Sequence, residues 1–162
     1  MSGTLLELFR HKTWATLKLI EFCEGLSDAD LDATTPGTYG SIRETLRHLV
    51  RAEEGYFARL TGKRFKDLLP QSGAVALPEL AERIRTLGPE WQKLAGDAGV
   101  QEREVTTDDG WRLKGAVIMA QAVHHADDHR THVLSVISSR GIEGPELDLW
   151  HYAEANGLVT HV

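Results

Sequence analysis

Four histidines fall within nine residues, in the segment His-His-Ala-Asp-Asp-His-Arg-Thr-His that runs from His124 to His132. This segment constrains the fold more than any other, because residues four apart in a helix project only about 40° from each other, one turn apart along the axis. His125 and His129 therefore point side by side and can reach one ion. Neutral imidazoles bind zinc and also suit nickel, iron and copper. The spacing predicts two ligands of a metal site on one helix.

The third ligand of such a site must come from another part of the chain, because a catalytic metal site typically has three protein ligands and an open position. His48, in the middle of another amphipathic segment, is the best candidate. His132 lies on the stripe of His125 but about 10 Å further along the axis, so we expect it to line the cavity. The zinc-protease motif His-Glu-x-x-His is absent, since Ala126 follows His125. Histidine pairs four apart also occur without metal, and the spacing alone does not decide between these alternatives.

The composition is that of a globular protein and restricts its partners. With 162 residues, 41% of them hydrophobic and 26% charged, we expect one domain over residues 1–162. The net charge of −6, without a concentrated basic run, argues against nucleic acid. Cys23 is the one cysteine, so no internal disulfide is possible. No apolar run reaches the roughly 18–20 residues of a membrane span, and no signal peptide is evident, so we expect a soluble, cytoplasmic protein.

Apolar residues recur at helical intervals in four long segments, which predicts an all-α four-helix bundle. The second segment begins with a capping box in Ser41-Ile42-Arg43-Glu44, and we expect Gly88-Pro89 to kink or break the third. The four predicted helices are Thr4–Glu24, Ser41–Thr61, Pro78–Leu94 and Leu113–Arg140.

The segments between and after these helices carry turn signals. Lys63–Ala76 has no sustained period and predicts a long connection between helices 2 and 3. Gln101–Thr107 has an extended pattern, and the turn Asp108-Asp109-Gly110-Trp111 follows it. Pro145–Val162 predicts a short C-terminal extension with a fifth helix.

The whole chain resembles the DinB-like family of bacterial metal-binding four-helix bundles, which includes YfiT-like proteins. That family shows a central histidine on its second helix and a final long helix that reads His-x-x-x-His-Arg-Gly-Gln. Here His48 lies in Thr-Leu-Arg-His-Leu, and the final motif reads His-Ala-Asp-Asp-His-Arg-Thr-His from His125. Thr131 replaces Gly and His132 replaces Gln. The resemblance implies that His48, His125 and His129 are the metal ligands.

The resemblance also implies a range of activities. Some relatives are thiol S-transferases that use a low-molecular-weight thiol such as bacillithiol, and others are mycothiol-dependent isomerases. An ion held by three neutral imidazoles keeps its full charge, so it favours the anion of a thiol or water at an open position. We therefore expect a divalent metal ion, zinc or nickel, and a metal-dependent thiol S-transferase acting on a small molecule. The alternatives are a non-catalytic stress-response protein stapled by its ion and a metal-dependent hydrolase whose base is Asp128, Glu44 or His132.

Two residues of the final motif are candidates for catalysis beside the ion. Arg130 or His132 would orient an anionic thiol cofactor or substrate, although Arg130 also suits an ordinary ion pair on a helix. Trp111, Trp150 and Tyr152 could form an apolar patch, from which we expect a homodimer.

Overall fold

The computed structural model describes residues 3–63 and 68–160. Within these ranges the chain forms four long helices, three short helices and one β-hairpin. The long helices are α1 (Thr4–Glu24), α3 (Ile42–Thr61), α4 (Leu77–Ala95) and α6 (Gly115–Ser139). The short helices are α2 (Asp28–Leu31), α5 (Ala98–Glu102) and α7 (Leu149–Ala155), and strands β1 (Glu104–Thr106) and β2 (Arg112–Lys114) pair antiparallel. The predicted all-α four-helix bundle is confirmed.

The capping box determines where α3 begins. The Ser41 hydroxyl accepts from the backbone N–H of Glu44 at 3.3 Å, and the backbone N–H of Ser41 donates to the Glu44 carboxylate at 2.9 Å. At the other end, Gly62 takes a left-handed conformation with φ 71° and closes the helix. The connection that follows was predicted over Lys63–Ala76. Residues 64–67 of it lie outside the described residues, and Leu69 within it is fully buried.

Helix α4 continues through Gly88-Pro89, where a kink or break was predicted. Pro89 lies on the exposed side of the helix, as does Arg85, whose carbonyl the proline leaves without a helical partner. Gly88 faces α1 at close range, since a Cβ there would lie 2.6 Å from Cγ2 of Thr13. The glycine therefore allows α1 and α4 to approach each other. Both parts of the helix are anchored in the core by buried side chains before and after the proline, Leu87 and Trp91.

The β-hairpin shortens the fourth predicted helix at its start. Leu113, predicted as its first residue, instead pairs with Val105 across the two strands, and α6 begins at Gly115. The turn between the strands uses Gly110 with φ 88°, a conformation that glycine adopts without steric cost. The short helix α5, just before the hairpin, was not predicted, because its five residues are too few to show a helical period.

Helix α1 packs mainly on α4, and α3 packs mainly on α6. Two apolar clusters fill the bundle, one towards each end. The first contains Ala15, Leu19, Ile20, Cys23, Leu46, Leu49, Ile84 and Val133, with others. The second contains Phe9, Phe57, Leu60, Leu87, Trp91, Ile118 and Met119, with others.

Buried polar side chains lie between the two clusters, and we call Lys12, Thr16, Glu53 and Arg130 the polar layer. The Lys12 ammonium is fully buried and donates to the Glu53 carboxylate. The Arg130 guanidinium donates to the Lys12 carbonyl at 3.3 Å and to the Thr16 hydroxyl at 3.1 Å. The polar layer therefore joins α1, α3 and α6 at the middle of the bundle.

The C-terminal extension packs against α1 through α7. Tyr152 is buried and donates to Glu7, and a ring nitrogen of His11 lies 2.6 Å from the carbonyl oxygen of Leu147. Trp111 and Trp150 are 71% and 76% exposed, so only these two of the three aromatic residues expected at a dimer interface lie on the surface. The homodimer stays a prediction. None of the helices in the described ranges is long and apolar enough to cross a membrane.

Candidate metal centre

Helices α3 and α6 bring three histidines together at the middle of the bundle. His48 lies two turns into α3, and His125 and His129 lie one turn apart on α6. The Nε2 atoms of His48 and His125 are 3.0 Å apart. One nitrogen from each of the three rings lies within 4.8 Å of the others. We call these residues the histidine triad.

Two tyrosines surround the histidine triad. Tyr39, in the loop before α3, stacks on the His48 ring with centroids 4.2 Å apart and meets His129 edge to face at 5.1 Å. Tyr56 meets His125 edge to face at 5.5 Å, and its hydroxyl lies 3.4 Å from Nε2 of Gln121. These contacts restrict the rotation of the imidazole rings and hold their nitrogens towards one another.

The surroundings of the triad favour uncharged imidazoles. Burial, followed by the charges of His129 and His48, lowers the pKa of His125 from 6.5 to about 4. Burial, followed by the charges of His48 and His132, lowers the pKa of His129 to about 4 as well. Burial also lowers the pKa of His48, assisted by the charges of Arg47 and Arg51. At neutral pH each ring therefore offers a nitrogen lone pair, which is the form that binds a metal ion.

The donor set fits a divalent ion such as zinc or nickel. Three neutral nitrogens converge from two helices, and within the described residues no carboxylate forms a hydrogen bond with any of them. The Nδ1 atom of His129 is buried without a hydrogen-bond partner. Ligating histidines commonly use that second nitrogen for orientation, so His129 is held by packing against Tyr39 and its neighbours instead. That the triad binds metal remains a prediction.

A second group with the residue types of a metal site lies on the surface. Glu146, Asp148 and His151 are close enough to share an ion, but all three are partly or largely exposed. Asp148 caps α7 by accepting from the backbone N–H groups of Trp150 and His151, and it also contacts Nδ1 of His151 at 2.9 Å. This cluster is explained by helix capping and does not need an ion.

Arg130, predicted to orient a ligand, lies in the polar layer and is 97% buried, since 3% of its side chain is exposed. Its guanidinium faces α1 and also donates to Asp127 at 3.0 Å. Arg130 does not line the groove described below. Its contacts therefore favour the second interpretation given above, a helix residue in an ion pair that anchors α6 to α1.

His132 lies next to the triad without belonging to it. Its ring meets His129 edge to face at 5.2 Å, and its Nδ1 atom is buried without a hydrogen-bond partner. His132 was expected to line the cavity, but it is not among the residues that line the groove described below, because its ring packs against His129 inside the bundle. Its role in catalysis stays a prediction.

A groove of about 960 Å³ opens beside the triad. His48, His125, Tyr39 and Tyr56 lie in its wall. The rest of the lining comes from α3, from the residues after it and from the hairpin turn at Thr106–Asp108. A small molecule in this groove could therefore reach the two histidines directly.

Sequence reasoning missed the tyrosines and the extent of the groove. Tyr56 follows His48 by eight residues, a helical spacing that places it two turns further along a neighbouring face, so a signal was available. Tyr39 gave no signal, because it lies in a loop without a period, between Gly37 and Gly40. Its contact with His48 depends on how the loop folds back over α3.

Comparisons with known proteins agree with this fold. The sequence model of the DinB family matches residues 1–157. A DinB-like protein from Bacillus cereus ATCC 10987 has a similar structure, with a TM-score of 0.71 and 15% identity, over 89% of this chain and 95% of that chain. YfiT from Bacillus subtilis, described as a probable metal-dependent hydrolase with an unusual four-helix bundle topology, has a TM-score of 0.66 and 16% identity, over 88% and 92%. A comparison with curated proteins gave no match.

Proposed function

This chain belongs to the DinB family, and we propose that it is a divalent-metal-dependent enzyme whose ion is held by His48, His125 and His129. The reaction that we propose is transfer of a low-molecular-weight thiol, such as bacillithiol, to a small-molecule substrate. The observation that carries this proposal is the convergence of three neutral imidazoles beside an open groove. A structural ion is normally enclosed by four protein ligands, whereas a catalytic one keeps a position open.

A zinc or nickel ion would supply Lewis-acid chemistry, lowering the pKa of a thiol or water that it binds. The residues of the chain would provide orientation and shielding. Tyr39 covers one face of the His48 ring, and Tyr56 packs against His125, so both tyrosines limit the directions from which a ligand can approach. Arg130 would act as a positioning residue, because it ties the turn that carries His129 to α1.

Thiol transfer suits this site because the thiolate is itself the nucleophile and needs no general base once its proton is lost. The two carboxylates predicted as candidate bases are poorly suited to that role. Glu44 is engaged in the capping box with Ser41, and Asp128 is exposed.

Hydrolysis is the second candidate, since YfiT, a structural neighbour, is described as a probable metal-dependent hydrolase. A hydrolase requires a group that takes a proton from the attacking water. Of the three candidate bases, His132 is the one whose contact with the triad the structure shows, since its ring packs against His129, although it does not line the groove. His132→Gln should abolish hydrolysis and leave thiol transfer largely intact.

The ligand assignment is tested by single substitutions of the triad. His48→Ala, His125→Ala and His129→Ala should each abolish stoichiometric binding of zinc or nickel, because two imidazoles hold an ion much more weakly than three. His151→Ala is the control, since His151 has the local contacts of a helix cap, and it should bind metal as the wild type does. Full metal occupancy in the His48→Ala protein would contradict the assignment.

The reaction class is tested by replacing the ion with cobalt. A small thiol such as 2-mercaptoethanol should add a sulfur-to-metal charge-transfer band to the absorption spectrum. The pKa of the bound thiol should lie well below the value of roughly 8.5 for a free thiol. A cobalt spectrum unchanged by millimolar thiol would exclude thiol transfer and favour either hydrolysis or a purely structural ion.

A further inference from the structure

One face of α3 forms the floor of the groove for several turns beyond the triad. Ala52, Gly55, Arg59 and Gly62 follow His48 by 4, 7, 11 and 14 residues, and all five line the groove. These spacings keep residues on one face of a helix. At 1.5 Å per residue, the floor extends about 20 Å from His48.

Gly55 in the middle of this floor has no structural explanation. A glycine inside a helix is less stable than alanine by about 0.5–1 kcal/mol. Two common reasons for such a glycine are absent, because Gly55 does not have a positive φ and a Cβ there would meet no heavy atom within 4 Å. Its effect is to keep the floor shallow and open. The space beside it is therefore left open to the groove.

Two cations lie at the far end of the floor, although the chain as a whole has a net charge of −6. Arg59 lies about 16 Å from His48 along the helix axis, and Lys63 follows just beyond the helix end. Both side chains are exposed, and within the described residues neither forms an ion pair. Two carboxylates, Asp108 and Asp109, lie in the facing hairpin turn, and a hydrogen bond from Thr107, followed at a distance by the charge of Arg59, lowers the pKa of Asp109.

A third cation, Arg51, lines the groove near the triad, and it is already partly engaged. Its guanidinium donates to the carbonyl of the buried Leu69. Arg59 and Lys63 are therefore the cations best placed to contact a ligand, at the opposite end of the groove from the histidines.

We infer that the groove binds an elongated small molecule whose reacting group lies at the histidine triad and whose anionic end lies at Arg59 and Lys63. The chain between the two ends passes over Gly55. The anion is an oxyanion such as a phosphate or carboxylate, which arginine and lysine bind through charge-assisted hydrogen bonds. The position of the ligand's reacting group rests on the proposed function. The position of its anionic end rests separately on Arg59 and Lys63.

Coenzyme A and pantetheine are matched probes for this site. They share one thiol arm, and only coenzyme A carries phosphates at the end remote from the sulfur. By calorimetry, zinc-loaded protein should bind coenzyme A about tenfold more tightly than pantetheine, the effect of one or two charge-assisted contacts. Arg59→Gln combined with Lys63→Gln should reduce this preference to about twofold or less.

The matched control for charge is Arg85→Gln combined with Lys93→Gln, because both residues are exposed cations of α4 outside the groove. This control should keep the preference for coenzyme A. Gly55→Leu tests the path between the two ends, since it should weaken binding of both thiols while metal stoichiometry stays unchanged. Gly55→Ala should have a smaller effect.

Three results would overturn the inference: equal affinity for the two probes, binding of neither at millimolar concentration, or a preference for coenzyme A that survives the Arg59 and Lys63 substitutions. The cobalt spectrum separates this failure from failure of the proposed function. If neither thiol changes the spectrum but calorimetry still shows the preference for coenzyme A, the anionic end stands and thiol activation is wrong. If both thiols change the spectrum equally and bind equally, thiol activation stands and the anionic end is wrong.

Discussion

The imidazoles of the triad are kept uncharged mainly by burial, which lowers the pKa of His125 and of His129 to about 4. An unfolded chain exposes the same rings to water, where the ordinary pKa is 6.5. Between these two values the unfolded protein takes up protons that the folded protein does not, and proton uptake favours the state that binds more protons.

The metal-free protein should therefore lose stability as the pH falls from about 6.5 towards about 4, while these two histidines add no pH dependence above that window. Urea unfolding at a series of pH values measures this loss. The double variant His125→Asn/His129→Asn is the control, because carboxylates also titrate at the acid end, and its stability should fall less steeply. If stability fell equally steeply with pH in both proteins, the two rings would bind protons as readily in the folded state as in the unfolded state.

The polar layer contains one buried carboxylate and two buried cations, so the loss of the carboxylate should cost more stability than the loss of one cation. Glu53→Gln would leave Lys12 and Arg130 buried without that carboxylate, and we expect a loss of about 3–5 kcal/mol in the free energy of unfolding. Lys12→Met should cost less, because the Arg130 guanidinium still attracts Glu53. Chemical denaturation of both variants measures the order. Glu82→Gln, in an exposed pair with Arg85, should change stability by about 0.5 kcal/mol or less.

Part of the candidate site could be predicted from the sequence by helical geometry. The spacing of His125 and His129 predicts their convergence. The same geometry separates Arg130 from them by about 100° and 140° around the axis, which directs it to another face, so its burial against α1 could have been inferred. Which residues of α1 receive it could not, because packing between helices leaves no local period in the sequence.

Among the secondary-structure elements, the bounds of those with capping residues at their ends could be predicted closely. The capping box marks the start of α3 within one residue, and Gly62 marks its end. The continuation of α4 through Pro89 could not be predicted, since it depends on the packing of α4 in the core on either side of the proline. The hairpin could be predicted only in part, because its three-residue strands are too short to show a reliable alternation of apolar and polar residues.

Alanine substitution of two helix-interior glycines should have opposite effects on stability. Gly55→Ala should raise the free energy of unfolding by about 0.5–1 kcal/mol, because its Cβ enters open space. Gly88→Ala should lower it by about 1–3 kcal/mol, because its Cβ would lie 2.6 Å from Cγ2 of the stiff Thr13 side chain. Thermal and urea unfolding of the two variants provide the measurement. An increase in stability for Gly88→Ala would mean that α1 and α4 separate at little cost.

For the whole molecule, we expect the two apolar clusters to hold the bundle together without an ion. Removing the metal with a chelator should therefore leave a folded helical protein with a lower melting temperature, as expected when a ligand that binds only the folded state is withdrawn. Circular dichroism before and after chelation measures this, and the His125→Ala protein should show no change on chelation. Complete unfolding of the wild type would instead indicate an ion that supplies the folding free energy.

The polar layer also determines which alternative arrangements of the helices are excluded. If α1 slid by one turn, about 5.4 Å, against its neighbours, the Lys12 ammonium would lose Glu53 and meet the aromatic or aliphatic side chains of an apolar cluster. An isolated buried charge is so unfavourable that such a misaligned bundle would be scarcely populated. Apolar clusters alone would tolerate the shift much better. The charges therefore set the register of the helices, and the three imidazoles, carried on two of those helices, inherit their alignment from it.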